Sequence, residues 1–486
     1  MGQGHSSALQ TCIDGIANGR SGFAAYPSQP LYQLAWVKPY NLDIKVHPEA
    51  VVRPKDSDDV AEVIKCATQN GYKVQAKSGG HSFGNYGLGG GQDGVITIDL
   101  VNFQQFSMDN KTWQATIGAG SHLGDVTDRL HDAGGRAMAY GVCPDVGIGG
   151  HATIGGLGPM SRMWGSALDH IVEVEVVTAD GKIQRASETQ NSDLFWVCPI
   201  PSFFCVFAPN EEQGLRGAAS NLGVITEFVV RTHPEPANVV QYSYTFIFGK
   251  SADVASTYSA WQDLISDPKL DRRFGTEFIL NPTGAIITGT FYGTEAEYRA
   301  SGIPDRLPGK QDLVGNNDWL TAFAHDAENE ALYLSGLATP FYSKSLAFRR
   351  EELINTTGIA DIFKWTDSQD KGTPLWFIIF DATGGAVADV PMNATAYSHR
   401  DKVMFYQSYV IGLPLSKKSK GFLENFHSQI TKWTGAFGTY AGYVDPELKD
   451  APEQYWGSNY EELRRVKKVW DPKEVFWNPQ SVRPAE

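Results

Sequence analysis

The sequence predicts an α+β fold with more than one domain, and three observations carry that reading. The chain has 486 residues, 42% of them hydrophobic, which is enough for two or three cores. Helical and alternating patterns already follow one another between Ala50 and Gly118. Fifty glycines and 12% aromatic residues, spread along the chain without a repeat or low-complexity tract, suit glycine-rich loops between packed sheets better than disorder.

The elements follow in order. In "DSDDVAEVIKCATQNG" Ser57 reads as the cap, Asp58 and Asp59 occupy the first turn, Val60, Val63, Ile64 and Ala67 make one apolar face, and Asn70-Gly71 ends the helix. "YKVQAK", "VITIDL" and "WQATIG" read as strands. Gly79 to Gly91 therefore form a long glycine loop between strands, either a cradle of backbone N–H groups for a pyrophosphate or a hairpin connection. "GAGSHLG", Gly118 to Gly124, has the spacing G-x-G-x-x-x-G with no acidic residue about 20 positions on, so it reads as a turn before a helix and excludes a Rossmann NAD enzyme. A second glycine loop, "GVCPDVGIGGHATIGG", runs from Gly141 to Gly156, and "PEPAN" at Pro234 to Asn238 reads as a linker.

Charge narrows the function classes. With 41 basic and 55 acidic residues the net charge is −14, which opposes nucleic-acid phosphates, so no nucleic-acid partner is expected. No stretch supplies the roughly 18 apolar residues of a membrane span, and "MGQGHSSALQTCIDG" lacks the basic and apolar regions of a secretory signal, so a cytoplasmic location is expected, or a secreted one if the N-terminal gene prediction is incomplete. Gly2 with Ser6 fits a loose myristoylation pattern with no basic residue before Arg20 to assist it. Asn110, Asn355 and Asn393 stand in glycosylation sequons at a frequency chance explains.

His81 and Cys143 sit in the two glycine loops, and imidazole and thiolate are nucleophiles able to bond an electrophilic cofactor. Zinc would need further Cys or His ligands at short spacing, and only His151 is near Cys143. No metal is expected.

"KSGGHSFGNYGLGG", "GVCPDVGIGGHATIGGLG", "DLFW", "LRGAASNLGVITEF", "FDATGGA", "TAYSHRD", "GYVDPEL" and "YWGSNYEELRRVKKVWDPKEVFWNPQSV" together resemble the berberine-bridge-enzyme-like flavoproteins of the vanillyl-alcohol-oxidase and p-cresol-methylhydroxylase (PCMH) superfamily. The likeness is to the fungal branch containing glucooligosaccharide oxidase and spans nearly the whole chain. It implies a PCMH-type FAD-binding domain over 1–233 and 436–486, the latter including the berberine-like C-terminal segment. Residues 234–435 would form a substrate domain, an antiparallel sheet backed by helices.

The resemblance implies FAD as cofactor, tethered at the 8α-methyl by His81 and at C6 by Cys143, with His151 hydrogen-bonding near the ribityl chain. Further cofactor contacts are implied at Ser78, Gly79, Gly80, Ser82, Phe83, Val146, Gly149, Gly150, Gly155, Gly156, Ile225 and Asn478. Tyr443 matches the catalytic tyrosine and Asp381 the aspartate bonded to it. A phenol, with its ordinary pKa of about 10, becomes a base only where its surroundings favour phenolate. Gly442 stands where the family often has asparagine. Val146 matches a position where valine accompanies oxidases, which implies O2 as acceptor and H2O2 as product.

On the substrate side Gln407 matches a glutamine of the sugar site, and Phe377 is a further candidate contact. Ile379 replaces a second glutamine, Phe83 replaces a tyrosine, and the "FILNPT" strand offers no carboxylate where the sugar enzyme has glutamate. Lost polar partners weaken a sugar site. The expected substrate is a small, more apolar secondary metabolite oxidised at an alcohol or related C–H. An oligosaccharide oxidase, or a flavin-binding protein without turnover, is the alternative.

Family members run from "DLFW" into "ALRG", whereas here seventeen residues, 197–213, intervene. Their apolar, cysteine-bearing run would make a poor surface loop. Val-Cys, Pro-Asn and Gln can be encoded by GTATGT, CCTAAC and CAG, the donor, branch and acceptor signals of a short fungal intron. A retained in-frame intron or a genuine insertion is implied. Without Cys198 and Cys205 the count falls to Cys12, Cys66 and Cys143, which fits a reducing compartment.

Overall fold

Two amphipathic helices open the N-terminal part of the structure, a computed structural model that describes residues 7–195, 214–247, 249–309, 312–324 and 336–486. The interruption at 197–213, with Cys198 and Cys205, lies outside the described residues. The first helix, Ala8–Ala17, is capped by the Ser7 hydroxyl, which accepts from the Gln10 N–H. The second, Ser57–Gln69, buries Val60, Val63, Ile64 and Ala67 as expected and ends at Asn70-Gly71.

Its cap is Asp56, which accepts from the Asp59 N–H at 2.9 Å, because Ser57 is already the first helical residue. The Ser57 hydroxyl donates instead to Glu175 at 2.6 Å. Where the two helices pack, Cys12 and Cys66 form a disulfide across a Cα separation of 6.1 Å, which runs against the reducing compartment that the cysteine count suggests. Cys143 stands apart from that bond, in the second glycine loop. Reading each cysteine on its own helix could not show that the helices face one another.

A four-stranded sheet runs in the order Ala24–Ala25, Ala50–Val52, Val95–Asp99, Lys73–Lys77. The last two strands are parallel, so the glycine segment joining them is a crossover and not a hairpin. Beside it lies a five-stranded antiparallel sheet that includes Gln114–Gly118, Ile171–Thr178 and Gly223–Arg231. "GAGSHLG" leads into the helix Leu123–Asp132, as its spacing predicts.

The third sheet has seven antiparallel strands: Asp312–Asn317, Val239–Ile247, Gly284–Phe291, Phe274–Asn281, Leu375–Ala382, Met404–Ile411 and Phe341–Phe348. Strand side chains alternate between faces. Tyr242, Phe278, Ile378, Phe380, Met404 and Tyr406 pack on Tyr258, Trp261, Phe363, Phe422 and Phe426 of three covering helices, Ala255–Ile265, Thr356–Ser368 and Lys417–Lys432. The opposite face, carrying Glu277, Asp381 and Gln407, borders the large cavity.

The C-terminal segment returns to the first sheet, where the Val74 N–H donates to the Val475 carbonyl at 2.8 Å. Lys467, fully buried, donates to Asp471 and to the carbonyls of Asn221 and Phe476, each within 2.7 Å. This pins "DPKEVFWNPQ" beside the glycine crossover. Among the described residues no helix is long and apolar enough to cross a membrane.

Candidate active site

One cavity of about 630 Å³, in the range of pockets that hold cofactors and small ligands, lies between the two glycine loops and the open face of the seven-stranded sheet. Ser78, Gly79, Gly80, His81, Ser82 and Phe83 line it from the crossover. Cys143, Val146, Gly150 and His151 line it from the second loop, and Asn478 from the C-terminal segment.

The loops approach so closely that only glycine fits. A Cβ on Gly79 would lie 2.4 Å from the Gly147 nitrogen, and one on Gly147 would lie 2.1 Å from the Gly79 nitrogen. A Cβ on Gly150, by contrast, would meet nothing within 4 Å. The result is a wall of bare backbone with room before it, suited to a large cofactor bearing phosphates.

Four of the expected cofactor residues do not line the cavity. A Cβ on Gly149 would meet the Ala119 carbonyl at 2.5 Å, one on Gly155 the Tyr440 ring at 2.8 Å, and one on Gly156 Ala167 at 2.4 Å, so these glycines serve close packing. Ile225 is a buried residue of the five-stranded sheet.

Burial lowers both cavity histidines to about 4: His81 despite nearby Asp145, and His151 through burial alone. Both are neutral imidazoles near pH 7. His81 stacks on Tyr40, with ring centroids 4.5 Å apart. His151 Nε2 accepts from the Gly141 N–H at 2.9 Å, which turns that nitrogen to the backbone.

The sheet and the C-terminal segment bring a tyrosine, a carboxylate and a glutamine together. The Tyr443 hydroxyl donates to Asp381 Oδ2 at 3.3 Å, and Gln407 Nε2 donates to the same oxygen at 2.7 Å. Gln407 Oε1 in turn accepts from the Tyr409 hydroxyl. Burial, then Asp381, then Tyr409, Tyr440 and Glu277 push the Tyr443 phenol well above its ordinary value. The surroundings therefore favour phenol over phenolate.

Phe377 is not a cavity residue. It packs with Phe341 and Ile379 against Tyr40, Ile279 and Tyr409, which do line the cavity. Several lining residues escaped the sequence reading. Glu277 stands directly across from Asp381 in the sheet register, one position before the "FILNPT" stretch that was read as lacking a carboxylate. Ser243, Thr245, Thr288 and Thr290 add a row of hydroxyls. The period of two in "QYSYTF" and "FGTEFIL" carried that signal.

A glycine-walled cavity bearing His81, Cys143 and the Tyr443–Asp381 pair, set between a mixed domain and an antiparallel sheet, fits the class of PCMH-type FAD-dependent oxidoreductases. A profile described as FAD binding domain matches residues 48–187, and one described as berberine and berberine like matches 439–483. The chain is 35% identical over 487 residues to the FAD-linked oxidoreductase sorD of Penicillium rubens, covering 99% of each. It matches the solved xylooligosaccharide oxidase of Myceliophthora thermophila in complex with xylobiose with a TM-score of 0.87, at 29% identity and over 99% and 100% of the two chains. Against a glucooligosaccharide oxidase of Acremonium strictum the TM-score is 0.86, at 27% identity over 98% and 99%. The protein belongs to the berberine-bridge-enzyme-like FAD-linked oxidoreductases.

Proposed function

We propose that this enzyme is an oxidase of a small hydroxyl-bearing metabolite, holding FAD covalently through His81 and Cys143. The neutral His81 imidazole and the Cys143 side chain, both lining one cavity, support two tethers, and the Acremonium structure is described as carrying a 6-S-cysteinyl, 8α-N1-histidyl FAD. When bound, FAD supplies the two-electron acceptor and passes the electrons to O2, giving H2O2. Val146, at the cavity wall, leaves the small side chain that accompanies oxygen use in the family.

The Tyr443–Asp381 hydrogen bond carries the mechanistic reading. Tyr443 takes the substrate hydroxyl proton as its own proton passes to Asp381. The phenol need not ionise beforehand, which its buried setting opposes. Tyr40, Phe83 and Ile279 offer one apolar wall, which favours a substrate with a hydrophobic part. A carbohydrate is the second reading, favoured by Glu277 and the hydroxyl row on the same sheet face.

The test is the intact denatured mass of the purified protein followed by peptide mapping, together with peroxide release from aromatic alcohols and from xylooligosaccharides. A mass raised by one FAD, with flavin joining the His81 and Cys143 peptides, is the expected result; an unmodified chain overturns the covalent reading. Peroxide released only from the oligosaccharides makes the second reading the correct one. Cytoplasmic location carries forward as a proposal against which the Cys12–Cys66 bond weighs, since such bonds are rare in reducing compartments. Alkylation of thiols in the native host before purification decides it.

A further inference from the structure

We propose that Tyr409 and Gln407 are positioning residues for the Tyr443–Asp381 pair, fixing which end of the Gln407 amide faces the carboxylate. The inference rests on the reading of Tyr443 and Asp381 as the proton-accepting pair. It assigns Gln407 a task other than direct contact with substrate.

A glutamine amide is nearly symmetric in shape but has a donor end and an acceptor end, and its partners decide which way it lies. Here Nε2 donates to Asp381 Oδ2 at 2.7 Å, while the Tyr409 hydroxyl donates to Oε1. Turned over, the amide would set its oxygen against an ionised carboxylate, two acceptors face to face. That orientation becomes favourable only when Asp381 carries a proton it can donate. Amide orientation and carboxyl protonation are therefore coupled, and the Tyr409 hydroxyl favours the orientation that suits the ionised form.

The sheet keeps this arrangement dry and directional. Gln407 and Tyr409 alternate on one strand, and across the register they face Ile379 and Phe377. Tyr409 is fully buried and Gln407 nearly so, which makes an unsatisfied amide oxygen costly. The titratable and charged groups around Asp381 are Glu277, its register partner on the Phe274–Asn281 strand; Tyr409 on the neighbouring Met404–Ile411 strand; Tyr440 and Tyr443 from the C-terminal segment; and Arg162, whose guanidinium donates to the Thr383 carbonyl two residues on. Removing the Tyr409 hydroxyl leaves Oε1 without that donor, a need that a protonated Asp381 can meet.

The experiment is an infrared pH titration of the flavin-loaded enzyme without substrate, following the carboxylic-acid C=O band that Asp381→Asn removes. In Tyr409→Phe the midpoint of that band is expected to rise by about one pH unit, with the visible flavin spectrum unchanged. A titration that superimposes on the wild type overturns the proposal. Should Tyr409→Phe not accumulate with flavin, Gln407→Met is titrated in its place under the same criterion. An Asp381→Asn enzyme that releases peroxide at the wild-type rate strikes the proton-accepting pair itself. A collapse of that rate, with an unmoved Tyr409→Phe midpoint, strikes only the positioning role.

Discussion

In the proposed relay Tyr443 accepts a proton in a place where burial, Asp381 and neighbouring tyrosines all resist its ionisation. The Asp381 carboxylate resolves the conflict, because a proton arriving at the phenol oxygen can leave through the hydrogen bond already formed. Tyr443→Phe is expected to lose about 10²- to 10⁴-fold in turnover while still binding flavin, measured by peroxide release and visible absorbance. An ultraviolet difference titration of wild type against Tyr443→Phe should show no phenolate from this residue at or below pH 10, its raised value placing ionisation above that range. A phenolate appearing near neutrality would contradict the relay.

Among elements, the helices that back the substrate sheet are set by ordinary capping. Asn355 accepts from the Gly358 N–H at 2.9 Å to start Thr356–Ser368, so Asn355→Ala should cost about 1 kcal/mol in urea-induced unfolding. The cavity-facing residues of this sheet were legible in principle and partly missed. Asp381 and Gln407 sat in motifs that drew attention, whereas Glu277 and the threonines of "GAIITGTF" sat in plain alternating strands. The glycine crossover was found as a loop, but its parallel setting depends on which strands pair, which no local pattern states. The Cys12–Cys66 bond and the Asp56 cap were hidden for related reasons: the first depends on helix packing, the second on where a helix starts to the nearest residue.

For the whole molecule, the outline of a mixed FAD-binding part and a helix-backed antiparallel sheet was readable because its motifs are dense along the chain. The cement between the parts was not. Arg400, at the end of the segment leading into the sheet strand Met404–Ile411, grips Asp169 with two bonds of 2.8 Å, both side chains nearly buried. Burial alone would raise the Asp169 carboxyl; Arg400 and the Ser166 donors outweigh it and hold the value below the ordinary one. A depressed folded value means that the pair's stabilisation is fully present above the unfolded pKa of about 3.9 and is lost as pH falls through the lower folded value. Asp169→Asn, which strands a buried guanidinium, should cost about 3–5 kcal/mol in chemical denaturation near pH 7, and the difference from wild type should shrink in acid.

The return of the C-terminal segment to the first sheet has a consequence for the order of events in synthesis. The crossover bearing His81 and the loop bearing Cys143 leave the ribosome well before Tyr443 and Asn478, which complete the same cavity. A nascent chain thus exposes His81 and Cys143 long before the walls that enclose them exist. The cavity closes only after the C-terminal segment bearing Tyr443 and Asn478 has been made.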